Sequence, residues 1–451
     1  MTRSLVLAGG GMRVAWQAGV MRALDEAGLE FDHVDGTSGG ILTAAMILSG
    51  RSGVEMCRRW RGLSASAFGS ALPFGDYLKG PWSLPALGDA DGIIDTVFPA
   101  LGIDVDAIRS SAARGLPAGT FTVVEFTSKE CLSLGADEVD AGLLAAGMSL
   151  PGWVTPLQRD GKVYTDAVWV RDAGVAEAVR RGADEIWLVW CIGNTPYWGD
   201  GPLEQYVHMI EMSAAGALAA DFELARALGR DFTLHVVSPA TPLPLDPEFY
   251  LGRIGSDALV ARGYADARAY LATARDEGLP HEVSATAMRV PPVSVRFTDA
   301  LSADGAECVF TVEVPVSGDA SDASDASVVG SVRLAGWPEP AYLAAGVVTL
   351  DAGVLRYAGT VRAGGTEVPV VCERDLVDDP GPDAWSDLTR ARVRIGDAEF
   401  TASLGVGGVA RLVASIEPVA AHGVVERARA VRAFWGRVRA VRSGVAAAQE
   451  V

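Results

Sequence analysis

Residues 31–48 decide the fold of the first part of this chain, and they read FDHVDGTSGGILTAAMIL. An apolar strand is predicted before the motif Gly36-Thr37-Ser38-Gly39-Gly40, and an apolar helix is predicted after it. The motif fits G-x-S-x-G, in which a sharp strand-to-helix turn lifts the serine hydroxyl clear of the backbone and small neighbours avoid clashes. The stretch therefore predicts Ser38 as a nucleophile, Gly39 at the helix N-terminus, and Gly36 and Gly40 as supporting residues.

A second glycine-rich junction lies upstream, where Gly9-Gly10-Gly11-Met12-Arg13 separates a predicted strand from a predicted helix. Glycines allow backbone amides to approach a ligand atom closely, and acyl transfer needs such donors where the oxyanion develops. We predict an oxyanion hole formed by the amides of Gly9, Gly10, Gly11 and Gly39. Arg13 is predicted to brace this loop.

The glycine loop has a competing interpretation as a dinucleotide-binding turn. The fingerprint G-x-G-x-x-G/A would require Gly or Ala at position 14, and Val14 stands there. The fingerprint fails, although a dinucleotide-dependent enzyme remains one alternative.

Strands and helices alternate over residues 4–190. Later strands are predicted at 121–126 and 186–191, and a helix at 173–181 precedes the second of them. Such alternation implies an α/β domain with a mainly parallel sheet covered by helices on both faces.

An acidic residue follows the turn at Asp160-Gly161 and a short alternating strand. Asp166 stands at the end of that strand. Taken alone, an aspartate here is equally well interpreted as a turn former. Its order after the loop and the elbow favours a role as general base.

The glycine loop, the elbow and the later aspartate, in this order, resemble the patatin-like phospholipase family. The resemblance extends to the segments 148–152, 161–166 and 182–186, and it covers about residues 4–280. It implies a three-layer α/β hydrolase domain in which Ser38 and Asp166 form a catalytic dyad without histidine, metal or cofactor. It further implies a lipid substrate, a fatty acyl ester of a phospholipid or another glycerolipid.

One departure from the family pattern concerns the residue after the aspartate. The family usually has glycine there, and this chain has Ala167. Alanine restricts the backbone if φ is positive at that position. The departure motivates a second alternative, a catalytically degenerate lipid-binding or regulatory protein on the same scaffold.

The histidines offer no clear triad member. A Ser-His-Asp hydrolase needs a histidine after its acid, and none of those following Asp166 lies in a recognisable loop signature. All five are predicted to be structural or solvated, namely His33, His208, His235, His281 and His422.

Residues 63–90 interrupt the alternation with apolar side chains punctuated by Gly, Ser and Pro. They are interpreted either as an irregular packed excursion or as an apolar flap beside a lipid-accepting pocket.

After predicted helices at 203–228 and 256–277, the sequence changes near residue 288 to a Val-, Thr- and Gly-rich pattern that alternates with a period of two. We predict a hydrolase domain at 1–288 and a β-rich domain at 289–423, with a low-complexity hairpin tip at 317–327.

The β-rich domain weakly resembles an accessory β domain of bacterial lipid- and sterol-processing enzymes, through the acidic run 378–387 and the segment 411–415. The acidic run lacks the spacing of an EF-hand, which favours a turn-rich loop over a calcium site.

The C-terminal segment 424–451 contains a basic amphipathic helix, predicted at 424–442. Its arginines surround an apolar face, which is predicted to comprise Val424, Ala428, Val431, Trp435 and Val438. The helix either docks on the acidic body of the protein or forms a peripheral contact with an anionic membrane.

Composition narrows the classes of function. A formal net charge of −19 argues against nucleic-acid binding, which needs a basic surface. The five cysteines are scattered without a C-x-x-C pair, which predicts neither a zinc site nor a disulfide framework and favours a cytoplasmic location. No stretch approaches the about 18 apolar residues of a membrane span, so lipid contact is expected to be peripheral. The oligomeric state stays open.

Overall fold

The computed structural model describes residues 1–80, 83–196, 198, 201–244, 255–303, 305–316, 326–351, 353–376 and 389–442. Residues 317–325 of the predicted hairpin tip, the acidic run 378–387 and residues 443–451 of the predicted tail lie outside this part. The chain divides into two compact units, unit 1 at Met1–Val290 and unit 2 at Pro291–Val451.

Unit 1 is an α/β unit. Its strands are β1 (Arg3–Leu7), β2 (His33–Thr37), β3 (Ala86–Gly88), β4 (Ala118–Glu125), β5 (Glu130–Gly135), β6 (Gly152–Val154), β7 (Leu157–Arg159), β8 (Lys162–Thr165), β9 (Glu185–Val189) and β10 (Thr233–Val237). Its α-helices are α1 (Ala15–Glu26), α2 (Gly40–Leu48), α3 (Gly53–Arg61), α4 (Phe74–Tyr77), α5 (Phe98–Leu101), α6 (Val105–Arg109), α7 (Ala141–Ala146), α8 (Val175–Arg180), α9 (Pro202–Ala227) and α10 (Ser256–Thr273). Single turns of tighter or wider helix occur at Gly11–Val14, Ala65–Phe68, Ile93–Val97, Ala112–Arg114 and Val283–Thr286.

The main sheet of unit 1 is mixed, with strand order β10-β9-β1-β2-β4-β8-β7. The strands from β10 to β4 are parallel, whereas β8, β7 and β5 are added antiparallel. The predicted α/β class with a mainly parallel core of strands is therefore confirmed. The carboxyl end of β2, at Thr37, lies near the middle of this order, which is where ligands bind in such sheets.

Helices cover both faces of the sheet. Val6 of β1 belongs to an apolar cluster with residues of β9, β10, α8 and α9, including Ile186 and Phe222. Because side chains alternate along a strand, Leu5 and Leu7 face the opposite layer, where α1 packs against α3 and α10. These three layers produce the buried core that positions the end of β2.

Unit 2 is built on one antiparallel sheet of nine strands, in the order β18-β17-β16-β15-β14-β13-β12-β11-β19. The sheet curves so that β18 also contacts β11. The strands are β11 (Ser294–Ala303), β12 (Ala306–Pro315), β13 (Ser327–Arg333), β14 (Ala341–Asp351), β15 (Val354–Ala363), β16 (Thr366–Asp375), β17 (Arg390–Ile395), β18 (Ala398–Ser403) and β19 (Glu417–Val419). Two helices follow the eight-strand meander, α11 (Val406–Ala414) and α12 (Gly423–Arg442). Residues 411–414 of the segment compared above with an accessory domain thus lie in α11.

The C-terminal helix α12 packs on the sheet of unit 2, and its predicted apolar face is wrong in part. Ala430 and Phe434 are buried, and the Phe434 ring lies 5.8 Å from that of Phe297. Val424 and Ala428, predicted on the apolar face, are instead exposed. The buried face is set by where the helix meets the strands, and helical periodicity in the sequence allowed both choices.

No helix of the described residues is long and apolar enough to cross a membrane.

Candidate active site

Ser38 lies at the turn between β2 and α2, in the left-handed region of backbone conformation. Its φ is 51°, a conformation that costs a residue with a Cβ about 1–2 kcal/mol. The strain is tolerated because the buried strand and helix on either side hold the turn. The side chain is 7% exposed.

The glycines on either side of the elbow allow strand and helix to approach. A Cβ on Gly40 would lie 2.2 Å from the carbonyl oxygen of Leu7, and one on Gly36 would lie 2.8 Å from the Cβ of Ala44. Larger residues at either position would push α2 away from β1 or β2. This packing is what the predicted supporting role of Gly36 and Gly40 requires.

Asp166 comes directly after β8, and the sheet brings it to Ser38. The Oγ of Ser38 donates to Oδ2 of Asp166 at 2.7 Å. The other carboxylate oxygen accepts from the amide of Val168 at 2.8 Å, and Asp166 itself is 3% exposed. The two residues are 128 positions apart in the chain, and β4 links their strands by pairing with both β2 and β8.

The environment of Asp166 suits a group that accepts a proton near neutral pH. Burial raises the pKa of Asp166 to about 7, against the opposing effect of the hydrogen bonds that it accepts from Ser38 and Val168. A general base with a pKa close to the working pH combines a populated carboxylate with useful basicity.

Ala167 does not sit in the conformation that would penalise alanine. Among the described residues, the non-glycine positions with positive φ are Ser38, Lys129, Asp160, Ala345 and Ala420. Ala167 is absent from this set and is fully buried. The departure from glycine therefore introduces no backbone strain next to Asp166.

The loop 9–11 lies beside Ser38, but its glycines differ in what their amides do. The amide of Gly9 donates to Oδ1 of Asp172 at 3.0 Å, so it is not available for an oxyanion. This corrects the expectation that all three loop amides face the site. The amides of Gly10, Gly11 and Gly39 take part in none of the hydrogen bonds of the described chain, and these glycines line the same cavity as Ser38.

Arg13 contacts the loop as a brace would. Its Nε and its backbone amide both donate to the carbonyl oxygen of Gly10, at 3.0 and 3.1 Å. The side chain is buried, with 8% of its surface exposed. The carbonyl of Gly10 is thereby held by Arg13.

A cavity of about 180 Å³ opens beside the Ser38–Asp166 pair. Apart from Arg13, the pair itself and the glycines, it is lined by apolar and aromatic side chains, namely Met12, Leu42, Phe68, Ile93, Met148, Leu150, Trp153, Val154, Val168, Ile192, Tyr206, Val207 and Ile210. Such a lining accommodates an acyl chain better than a charged or sugar-like group.

Among the described residues of the segment 63–90, Phe68 lines this cavity. Farther along it, Phe74 is 77% exposed and Leu78 is 72% exposed. The segment is attached to the cavity wall, because β3 pairs with β6, which carries Trp153. It is thus part packed excursion and part exposed apolar surface.

No histidine takes part in the hydrogen bonds of Ser38 or Asp166 in the described chain. His33 lies within the sheet, between Ser4 and Thr120. His281 stacks on Phe232 at 4.0 Å between ring centroids. The structure therefore brings together a serine and an aspartate without a third histidine member.

Two residues of the site escaped sequence reasoning, Asp172 and Cys191. The Sγ of Cys191 donates to the carbonyl oxygen of Gly9 at 3.0 Å, beside the contact that Asp172 makes with the Gly9 amide. The sequence signal for Asp172 was weak: a single acid that follows Arg171, six positions after Asp166.

No group of three or more His, Cys, Asp or Glu side chains that could hold a metal ion occurs among the described residues. Of the acids in the described part of the chain, Asp166 is hydrogen-bonded to Ser38, and Asp172 lies next to Gly9, which adjoins Ser38.

The chain is similar in sequence to known proteins. A lysophospholipase NTE1 of Coccidioides immitis (strain RS) is 26% identical over 194 residues, which cover 41% of this chain and 11% of that protein. The NTE1 lysophospholipase of Phaeosphaeria nodorum is 25% identical over 194 residues, covering 41% of this chain and 12% of that protein. The chain thus matches about a tenth of the length of these relatives. Among solved structures, VipD from Legionella pneumophila covers 60% of this chain and 66% of its own, at 12% identity and a TM-score of 0.34.

The family model of patatin-like phospholipases matches residues 5–179, a range that holds the glycine loop, the elbow at Ser38, and Asp166. This chain therefore contains a patatin-like phospholipase domain at residues 5–179.

Proposed function

We propose that unit 1 is a serine acyl hydrolase that cleaves fatty acyl esters of phospholipids or other glycerolipids. The observation that carries the proposal is the 2.7 Å hydrogen bond from Ser38 to Asp166 at the wall of an apolar cavity. The patatin-like domain at 5–179 and the names of the two lysophospholipase relatives support a lipid ester as substrate.

The reaction has two steps. Asp166 accepts the hydroxyl proton of Ser38 while Oγ bonds to the acyl carbon, and the carbonyl electrons move to its oxygen. The amides of Gly10, Gly11 and Gly39 stabilise that oxyanion, each donor being worth about 3 kcal/mol in such sites. The ester C–O bond then breaks, and the departing alcohol takes the proton from Asp166. Water repeats the sequence on the acyl-enzyme, which releases the fatty acid and restores Ser38.

The apolar surroundings support the choice of a lipid acyl group. Trp153 lines the cavity and is 38% exposed, and Leu87 of the neighbouring strand β3 is 55% exposed. A lipid that enters the cavity from an aggregate would pass this apolar surface. Among glycerolipids, a lysophospholipid is the first candidate to test, because it needs to bury one acyl chain.

A peripheral contact with an anionic membrane through α12 belongs to the same proposal. Arg429, Arg432 and Arg439 are exposed, while the buried side of the helix packs on unit 2. The location that we propose is cytoplasmic, since none of the five cysteines, all of them among the described residues, forms a disulfide. The acidic composition supports the expectation that nucleic acid is not a partner.

A serine-directed fluorophosphonate tests the nucleophile. We expect wild-type protein to be labelled at Ser38, and Ser38→Ala to lose both labelling and fatty acid release. The matched control is Ser256→Ala, because Ser256 is also 7% exposed and donates at 2.7 Å, to the carbonyl of Trp60. Labelling of another serine would refute Ser38 as the nucleophile, and absence of labelling would favour a lipid-binding protein without catalysis.

Substrate class is tested with lysophospholipid, diacyl phospholipid and triacylglycerol, each followed by mass spectrometry of the released fatty acid and the remaining lipid. Release that depends on Ser38 from any of them supports the proposal. Hydrolysis limited to short water-soluble esters would contradict the lipid assignment.

A further inference from the structure

Asp172 is a buried acid that the proposed reaction does not use. It lies in the loop between β8 and α8, and its side chain is 1% exposed. One carboxylate oxygen accepts from the amide of Gly9 at 3.0 Å, and the other has no hydrogen-bond partner among the described residues. A carboxyl group is seldom buried in this way without a specific contact to maintain.

The contact between Asp172 and Gly9 is made directly behind the nucleophile. A Cβ on Gly9 would lie 2.5 Å from Oδ1 of Asp172 and 2.8 Å from the Cβ of Ser38. Gly9 is therefore held between the carboxylate and the elbow, with no space for a side chain. A shift of Asp172 or Gly9 would displace the loop relative to the Ser38 hydroxyl.

The carbonyl groups of Gly9 and Gly10 are also hydrogen-bonded within the protein. The carbonyl of Gly9 accepts from Cys191, and the carbonyl of Gly10 accepts from Arg13. With these groups hydrogen-bonded within the protein, the amides of Gly10 and Gly11 have no hydrogen-bond partner among the described residues, and both glycines line the cavity that contains Ser38. Asp172 is the residue that engages the amide before them.

We propose that Asp172 is a positioning residue, which acts through Gly9 to hold the amides of Gly10 and Gly11 in place for the oxyanion formed at Ser38. The inference rests on the proposed function. Asp172 makes no contact with the substrate carbonyl and takes no proton in the reaction; it sets the geometry of the donors.

The surroundings of Asp172 raise the pKa of its carboxyl group. Burial raises its pKa well above the ordinary range, against the opposing effect of the hydrogen bond from the Gly9 amide; the neighbouring charge of Asp166 also raises the pKa, and that of Arg13 lowers it. Burial therefore favours the protonated form of Asp172 more than in an exposed aspartate. A neutral carboxyl and a carboxamide have the same shape and both offer an oxygen acceptor, so asparagine should replace Asp172.

The experiment compares Asp172→Asn, which keeps the acceptor, with Asp172→Ala, which removes it. We expect Asp172→Asn to retain kcat within about threefold and to keep the pH profile. Asp172→Ala should lose about a hundredfold in kcat and in the rate of phosphonate labelling, the scale of one oxyanion donor, with little change in KM. Hydrogen exchange of the peptide covering residues 5–12 should accelerate in Asp172→Ala alone.

Asp221→Ala is the matched control, because Asp221 is 4% exposed and accepts from the amide of Ala176 at 2.7 Å. It should lower thermal stability without changing kcat or the exchange of residues 5–12. If Asp172→Ala does not fold, Asp172→Ser replaces it, since a serine side chain is too short to reach the Gly9 amide.

Unchanged kcat in a folded Asp172→Ala or Asp172→Ser would overturn the inference, and so would a folded Asp172→Asn that is as slow as either. Both results leave wild-type labelling at Ser38 intact, which distinguishes them from failure of the proposed function. Absence of wild-type labelling at Ser38 would overturn that function and the role of Asp172 with it.

Discussion

The hydroxyl of Ser38 and the carboxylate of Asp166 are joined by a 2.7 Å hydrogen bond between residues that are 7% and 3% exposed. Burial raises the pKa of Asp166 to about 7. In the proposed reaction only the carboxylate form accepts the serine proton. The rate of hydrolysis should therefore change with pH in the neutral range, because Asp166 loses its proton there.

We expect kcat/KM for a non-ionising ester to rise with pH and to reach a plateau above the titration of Asp166, near pH 7. The measurement is a pH series from 5 to 9 with thermal stability checked at each point. In Asp166→Asn, kcat/KM should fall by a factor of about 10²–10⁴ and should no longer depend on pH in this range. A flat profile in wild type over this range would contradict Asp166 as the base.

The same carboxylate should destabilise the folded protein above neutral pH. Because the folded pKa of Asp166 is raised from 3.8 to about 7, its contribution to stability is full below the ordinary pKa and is lost as pH rises through 7. Asp166→Asn, which carries no charge, should therefore melt at a higher temperature than wild type at pH 8. The difference should shrink towards pH 5, and thermal unfolding at both values checks it. An Asn variant that is less stable at pH 8 would contradict the charge effect.

How much of this site could be predicted depends on whether the signal is local in the chain. Ser38, Gly36 and Gly40 belong to one short motif, and the elbow follows from it. Asp172 could not be assigned, because its partner Gly9 is 163 positions away and the two meet only through the strand order of the sheet.

The buried face of α12 could likewise not be predicted from the local sequence. Helical periodicity predicts that the segment is a helix, and the structure has it at Gly423–Arg442. Which side is buried depends on where the strands of unit 2 lie, and Phe434 is buried instead of Val424. Local pattern determines the element, and tertiary packing determines its face.

The left-handed backbone at Ser38 leads to a stability prediction. Ser38→Gly and Ser38→Ala both remove the hydroxyl and its hydrogen bond to Asp166. Only glycine relieves the strain of φ 51°, so Ser38→Gly should be more stable than Ser38→Ala by about 1 kcal/mol. Chemical denaturation of the two inactive variants measures the difference. Equal stability would mean that the turn relaxes without its serine.

The close packing around Gly40 predicts that adding a methyl group at this position destabilises the protein. A Cβ there would meet the carbonyl oxygens of Leu7 at 2.2 Å and Ala8 at 2.8 Å, so the backbone must move. Gly40→Ala should cost about 1–3 kcal/mol of unfolding free energy and slow phosphonate labelling. The matched control is Gly216→Ala in α9, where a Cβ meets nothing within 4 Å and should stabilise the helix by about 0.5–1 kcal/mol. A Gly40→Ala variant as stable as wild type would refute the packing argument.

The last prediction separates the two roles considered for α12. If its exposed arginines meet anionic lipid, replacing Arg429, Arg432 and Arg439 by Gln should weaken binding to phosphatidylserine vesicles about a hundredfold at low salt, at about 1 kcal/mol for each arginine. Added salt should reduce the difference, because it screens exposed charges. Thermal stability should be unchanged, since the buried side of the helix, with Ala430 and Phe434, is untouched.

The matched control for α12 removes three exposed arginines elsewhere in unit 2, Arg333, Arg356 and Arg392, with the same change of net charge. A loss of vesicle binding confined to the α12 variant would locate the contact on that helix. Equal binding by the two triple variants would show that the helix only docks on the sheet. In that case Phe434→Ala, which removes a buried ring, should lower the unfolding free energy by about 3–5 kcal/mol and leave vesicle binding as it was.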